Sequence, residues 1–275
     1  MPQAEESLVA PDGARLWTRR WEPDGRVRAS LVLLHGLGEH AGRYDHVARR
    51  LTGAGYAVFA FDLRGHGRSS GRRGDTRFSP TLGDVVRRLD GAGARHPDVP
   101  RFLYGHSLGA LIALTALLRL RPPLCGAVLS APPLRSALRE QRLKVRLARM
   151  LGPLFPSLTV RAGLDPTALS RDANVVAAYV ADPLVHDRAS LGFACDSLAA
   201  TDAAATATRL DVPLLIVHGS ADRIAFVDGS RALAARLAGD VTLREYPGLL
   251  HEPHNEPERA QVLADVLGWL DARLF

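Results

Sequence analysis

The chain is 275 residues long, with 47% apolar residues, 23% charged residues and a formal net charge of +6 at pH 7. This is the mix of an ordinary globular protein, and the length accommodates one large domain or one domain with an insertion. All the basic residues except Lys144 are arginine, and the few aromatics are scattered rather than interleaved with a basic stripe, which argues against nucleic acid as a partner.

The first residues, MPQAEESLVAPDGARLW, put acids and a proline where a secretion signal needs a basic start and an apolar run. The longest apolar run, residues 108–118, is too short to span a bilayer and is closed by Arg119 and Arg121. The expectation is therefore a soluble, cytoplasmic protein. Residues 7–10 and 16–21 read as short strands around the turn Pro11-Asp12-Gly13. ASLVLLHG, residues 29–36, and YAVFAFD, residues 56–62, are continuous apolar runs suited to strands buried on both faces. Between them a helix is predicted from about Tyr44 to Leu51, stopped by Gly53. A Gly/Arg-rich loop, LRGHGRSSGRRGD, leads to a helix over residues 78–94.

Residues 101–120 then read strand, Gly-x-Ser-x-Gly turn, helix, with Ser107 at the apex of Gly105-His106-Ser107-Leu108-Gly109. Glycines on both sides let strand and helix approach closely, and the strained turn pushes the serine hydroxyl clear of the backbone. The first amides of the helix stand beside it, where an anion is stabilised. GAVLSAP, VPLLIVHGSAD and residues 241–246 supply further strands, with helices near 226–237 and 256–274. Strand–helix alternation with buried strands predicts a parallel sheet covered on both faces, with reacting groups beyond the carboxyl ends of the strands.

Residues 134–206 break the rhythm: no buried-strand run, much Arg, Ala and Leu, and interruptions at Pro153, Pro156, Pro166 and Pro183. The segment reads as a mostly helical insertion, hence a lid, between core residues 1–133 and 207–275. Cys125 and Cys195 read as small core residues rather than a disulfide pair.

Serine needs a base to become nucleophilic, and the base needs a third group to orient it. In this architecture the chain order is Ser, acid, His. The best acid after Ser107 is Asp222, directly beyond the strand LLIVH; the best base is His251 in YPGLLHEPHNEPER, with His254 its nearest rival. The amides of Leu37 and Leu108 are placed to hold an oxyanion.

Taken together, HGLGEHAGRY, DLRGHGRSSG, FLYGHSLGA, GSADR and LLHEPHNEPER resemble the monoacylglycerol lipase and lysophospholipase group of α/β-hydrolases, which also carries the label serine aminopeptidase-like. The resemblance covers about residues 10–133 and 207–275. It implies an α/β-hydrolase fold: a mostly parallel eight-stranded sheet flanked by helices, with a helical lid inserted after the sixth strand. It implies a triad at Ser107, Asp222 and His251, oxyanion amides at Leu37 and Leu108, and a polar end for the substrate glycerol at Glu39, Arg43 and His254. It also implies an acyl channel under the lid and no cofactor. Leu37 departs from the smaller residue that family members often carry, although only its amide is needed. The expected substrate is a monoacylglycerol; the alternatives are a lysophospholipid, another carboxylic ester, a small amide cleaved as by an aminopeptidase, or a ligand merely bound without catalysis.

Competing motifs are weaker. Gly67-Arg68-Ser69-Ser70-Gly71 repeats the serine pattern without an apolar helix behind it. Gly36-x-Gly38 lacks a correctly spaced third glycine, and His251-Glu252-x-His254 lacks the histidine spacing of a zinc helix, so no metal is expected. His35, His218 and His66 read as structural, and Asp62 as a cap for its glycine loop. His106, beside the nucleophile, is a candidate pocket residue. Glu39 and Arg43, taken alone, form an exposed ion pair at a helix start. Leu143, Leu147, Met150, Leu151 and Leu154 recur at helical spacing among Arg135, Arg139, Arg142, Lys144, Arg146 and Arg149. The plain reading of that helix is packing on the core; the sharper one is transient, peripheral contact with a membrane or lipid aggregate. Nothing in the sequence speaks to oligomeric state.

Overall fold

Buried strands set the architecture. In the computed structural model, residues 4–274 are described, except for the side chains of Leu138, Arg142 and Lys144. The predicted roles of Arg142 and Lys144 in the basic face of the insertion therefore lie outside the described residues. In chain order the core begins β1 (Ala4–Val9), β2 (Arg15–Trp21), β3 (Ala29–Leu34), α1 (Asp45–Thr52), β4 (Tyr56–Phe61), α2 (Phe78–Arg95), β5 (Arg101–His106), α3 (Leu108–Arg119) and β6 (Gly126–Ser130). The intervening segment carries α4 (Ala137–Glu140), α5 (Arg142–Leu151), β7 (Thr159–Arg161), α6 (Ala173–Ala181), β8 (Arg188–Ser190) and α7 (Leu191–Thr206). The core resumes with β9 (Leu214–Gly219), α8 (Val227–Arg236), β10 (Val241–Tyr246) and α9 (Arg259–Asp271).

Eight strands form one sheet in the order β1-β2-β4-β3-β5-β6-β9-β10. Pairings are parallel from β4 to β10, and antiparallel where β2 meets β4 and β1 meets β2. The apolar runs are explained by two-sided burial. Val32, Leu34, Phe59, Leu103 and Ile216 face α2, α3 and α8. Leu31, Leu33, Val58, Tyr104 and Val217 face α1 and α9. Each such side chain taken fully from water contributes about 1.5–3 kcal/mol, which fixes strand register well enough to hold the residues that follow each strand.

The insertion between β6 and β9 differs from its sequence reading in detail. It adds a two-stranded antiparallel ribbon, β7 with β8, whose three-residue strands are too short and too exposed to leave an apolar run. Helix α5 turns Ala148 inward, whereas Leu143 is 71% exposed, Leu154 68% and Met150 58%. That corrects the plain reading of these residues as packing on the core. Cys125 is exposed and Cys195 half-buried, and both are free thiols, so neither is the core residue the sequence implied. Cys125 precedes β6 on a surface turn, one residue before the strand's apolar run starts.

Candidate active site

Sterics shape the turn between β5 and α3. A Cβ on Gly105 would stand 2.3 Å from the Gly109 carbonyl oxygen, and one on Gly109 would stand 2.3 Å from the Leu34 carbonyl oxygen at the end of β3. With both positions bare, helix and strands close up, and Ser107 is forced to φ 50° and ψ −116°. A non-glycine residue there is strained by about 1–3 kcal/mol, and such strain persists only where the surroundings impose it.

The distant partners meet this hydroxyl. His251 Nε2 lies 2.9 Å from Ser107 Oγ, and His251 Nδ1 lies 2.7 Å from Asp222 Oδ2. Asp222 Oδ1 accepts the amides of Ile224 at 2.8 Å and Ala225 at 3.0 Å. Burial opposes the charge of Asp222, but the two neighbouring imidazoles, His251 and His218, outweigh it and hold the carboxyl well below the usual range. Burial also opposes a charge on His251; the facing Asp222, helped by Glu252 and Glu39, more than offsets it and raises the imidazole above its ordinary 6.5. The amides of Leu37 and Leu108 point at no hydrogen-bond acceptor among the described residues. Leu108 opens α3, whose positive dipole end adds to the pull on an anion.

The remaining predicted site residues are brought together, but as an interior network. Glu39 is buried: Oε1 accepts the Gly36 amide at 2.6 Å and the Tyr44 hydroxyl at 2.7 Å, and Oε2 accepts Arg43 at 2.6 Å. This corrects the reading of Glu39 and Arg43 as an exposed pair. Arg43 also donates through both terminal nitrogens, at 2.7 Å each, to Glu252, and its guanidinium lies 4.8 Å from the centre of the Tyr179 ring. Glu252 was not singled out by the sequence, because its partner lies 209 residues away. Burial pushes Glu39 upward, and Glu252 adds to this. Burial works the same way on Glu252, but the two-point grip of Arg43 wins and holds its carboxyl at about 2.

His254 is buried in the same network, stacked at 4.9 Å on Tyr44 and edge-on at 4.7 Å to His106, and neither ring nitrogen has a hydrogen-bond partner among the described residues. Burial, with the positive charge of Arg43, holds it neutral at about 3. His106 is also kept neutral by burial and by the surrounding imidazoles; its Nδ1 lies 3.1 Å from Ser130 Oγ, and its ring centre is 5.0 Å from that of His251. Donor atoms of Glu39, His106 and Glu252 lie within 4.8 Å of one another, a spacing that suits a cation. Arg43 already supplies positive charge to both carboxylates there, so a metal would have to displace it.

The structural readings hold elsewhere. His35 bonds Gly36 O and Leu63 N, His66 bonds Arg64 O, and Asp62 accepts the amides of Ala41 and Arg68. Ser69 Oγ donates to Asp62 O and accepts the Trp17 amide, so backbone occupies it. His218 bonds backbone as expected, at Ala225 O, but also touches the Asp222 carboxylate, which the sequence did not indicate.

The inserted segment is tied to all three loops around Ser107. Glu252 N donates to Leu169 O, His186 N donates to Gly38 O beside Leu37, and Phe226 N donates to Arg135 O beyond Asp222.

A parallel sheet with a serine on a strained strand-to-helix turn, and a histidine and an aspartate delivered from later strand ends, defines an α/β-hydrolase. Residues 25–258 match the family described as Serine aminopeptidase, S33 (Hydrolase_4), and the chain belongs to that family. It is 42% identical over 282 residues to a monoacylglycerol lipase of Mycolicibacterium smegmatis, covering 99% of this chain and 98% of that protein. It is 37% identical to monoglyceride lipase of Mus musculus, covering 97% of this chain and 90% of that one. Among solved structures, the monoacylglycerol lipase of Paleococcus ferrophilus superposes with a TM-score of 0.87 at 34% identity, covering 94% of this chain and 99% of that chain. No helix among the described residues is long and apolar enough to cross a membrane.

Proposed function

We propose that the protein hydrolyses the carboxylic ester of a single-chain lipid, a monoacylglycerol above all, through an acyl-enzyme on Ser107. His251 accepts the proton of Ser107 Oγ as the hydroxyl attacks the ester carbonyl. Asp222 holds the imidazole in the Nδ1–H tautomer and stabilises it once charged. The idle amides of Leu37 and Leu108 take the negative oxygen of the tetrahedral intermediate. His251 returns its proton to the departing alcohol. Water activated by the same ring then releases the acid and restores the serine. The observation that carries this reading is the unbroken line from Ser107 Oγ through His251 to Asp222, at 2.9 and 2.7 Å.

The alcohol end fits the buried polar network. A neutral His254 with both ring nitrogens unpartnered can donate to one hydroxyl and accept from another. Glu39 and Arg43 fix the loop and the charge around it, and His106 walls it on the nucleophile's side. The acyl end runs under residues 134–206, which serve as the lid. On the outer side of that lid, Leu143, Leu147 and Met150 on α5 and Leu154 and Phe155 just beyond it are exposed, with Arg146 and Arg149 of α5 exposed beside them. Exposed apolar side chains mixed with arginines suit transient contact with a lipid aggregate.

The test is hydrolysis of monoacylglycerols and p-nitrophenyl esters of increasing chain length, beside Ser107→Ala. The expected result is a preference for medium or long chains that Ser107→Ala abolishes. Full activity in Ser107→Ala would end the assignment of the nucleophile, and a preference for acetate would end the lipid reading. Co-sedimentation with anionic vesicles at low salt tests the lid: no binding there removes the membrane contact.

A further inference from the structure

The carboxylate of Asp222 is approached by a second imidazole that the reaction scheme leaves unused. His218 lies near the end of β9 and is fully buried. Its Nε2 stands 3.2 Å from Asp222 Oδ2 and 2.8 Å from the Ala225 carbonyl oxygen, and its Nδ1 stands 2.7 Å from Ser230 Oγ on α8. A carbonyl and an ionised carboxylate only accept, so the proton sits on Nε2. The Ser230 hydroxyl is then placed to donate to Nδ1, which fixes the tautomer.

Asp222 Oδ2 thus has two imidazoles upon it, His251 at 2.7 Å and His218 at 3.2 Å. Oδ1 is anchored separately by the amides of Ile224 and Ala225. A carboxylate turns about its Cβ–Cγ bond as one plane, so a bond at Oδ2 from outside the turn resists the same rotation as the turn's own amides at Oδ1 and adds to their hold. The second anchor comes from a sheet strand, and Ser230 ties that anchor to the helix that follows. The hydroxyl, ring and carboxylate therefore link α8 and β9 to the turn that carries Asp222.

We propose that His218 is a positioning residue for the hydrolytic site: by sharing its Nε2–H between Asp222 and Ala225 it fixes the rotation of the Asp222 carboxylate, and through it the aim of the His251 ring. The proposal rests on the reading of Ser107, His251 and Asp222 as the reacting set. His218 also takes up part of the charge on Oδ2, so its removal leaves more of that charge facing His251. The Glu39 and Glu252 carboxylates act on His251 from the other side and stay in place.

His218→Leu keeps the bulk and removes both ring nitrogens, His218→Gln returns an amide N–H close to the Nε2 position, and Ser230→Ala frees the tautomer. Each is compared with wild type for kcat, KM and the pH profile of kcat/KM on a soluble p-nitrophenyl ester, with folding followed by thermal melting. His218→Leu is expected to lower kcat about 10- to 100-fold at unchanged KM, the effect of losing one charge-assisted hydrogen bond, and to move the acid limb to higher pH. His218→Gln is expected to restore both to near wild type, with Ser230→Ala falling between. A folded His218→Leu with wild-type kcat and acid limb overturns the proposal while a dead Ser107→Ala leaves the reacting set standing. If Ser107→Ala stays active, the underlying reading fails first and the role of His218 falls with it. If His218→Leu does not fold, Ser230→Ala decides: an unmoved acid limb overturns the proposal and a raised one upholds it.

Discussion

The sheet and the inserted segment hold the same site in different ways. Strands β3, β6 and β9 are buried along their whole length, β5 along all but its first residue, and all four are bonded to neighbours on both edges. The insertion is anchored by α7, whose Phe193, Ala200 and Ala204 join the same apolar core as α2 and α3, but the stretch before it reaches the site through single backbone bonds and a few ion pairs, such as His40 with Asp182 at 2.8 Å, and leaves much of α5 in solvent. Packed apolar surface fixes atoms to fractions of an ångström, whereas isolated polar ties at an exposed segment open at far lower free energy. On the proposed function, the reacting groups sit on ends of the rigid part, and the stretch proposed to admit the lipid is the more loosely held one.

The strongest way to break this division is on the rigid side. Asp222→Asn leaves packing nearly unchanged but removes the charge and presents the wrong tautomer to His251. A loss of about 10⁴-fold in kcat is expected, by comparison with serine hydrolases generally, read by ester hydrolysis with the melting temperature as control. Gly109→Ala strikes the turn itself, because the new methyl must displace the Leu34 carbonyl. A stability loss of about 1–3 kcal/mol in denaturant melts is expected, with activity falling further than the folded fraction explains.

Acidity sharpens the contrast more gently. His251 must be neutral to accept the serine proton, and its pKa is raised above 6.5. Activity is thus complete above that raised value and lost as pH falls through it, so the kcat/KM profile should bend above pH 6.5. Stability runs in the opposite sense: the contribution of the charged His251–Asp222 pair is complete below the unfolded pKa of the histidine and fades as pH rises through the folded one. On the loose side, amide hydrogen exchange should find α5 opening well before β3, β5 and β6; equal protection would dissolve the distinction. The smallest stability effect is expected from Leu143→Ser with Leu154→Ser, within about 0.5 kcal/mol for each exposed position. The same pair should lower activity on aggregated monoacylglycerol while sparing a soluble short-chain ester.

Parallel strands covered on both faces need unbroken apolar runs, so 29–34, 56–61 and 214–219 were visible before any coordinates. The elbow was equally plain, because only glycine tolerates the approach of the Leu34 and Gly109 carbonyls. The ribbon β7–β8 was not visible, since three half-exposed residues a side need no apolar pattern. Cys125 was misread because it adjoins an apolar run without entering it. Glu39 and Arg43 were recognised by resemblance, yet their burial depends on Glu252, which nothing local to either residue announces.

Composition and local pattern determined which stretches would be strands, where the serine had to stand, and which acid and base could follow a strand end. Those are demands that neighbouring atoms make on one another within a few residues. That one oxygen of Asp222 faces two imidazoles, why the His254 nitrogens meet no partner among the described residues, and where Arg43 finds its second carboxylate were decided only when strands far apart in the chain were laid side by side. Hydrogen bonds and desolvation act over a few ångströms in space, and sequence distance carries no record of them.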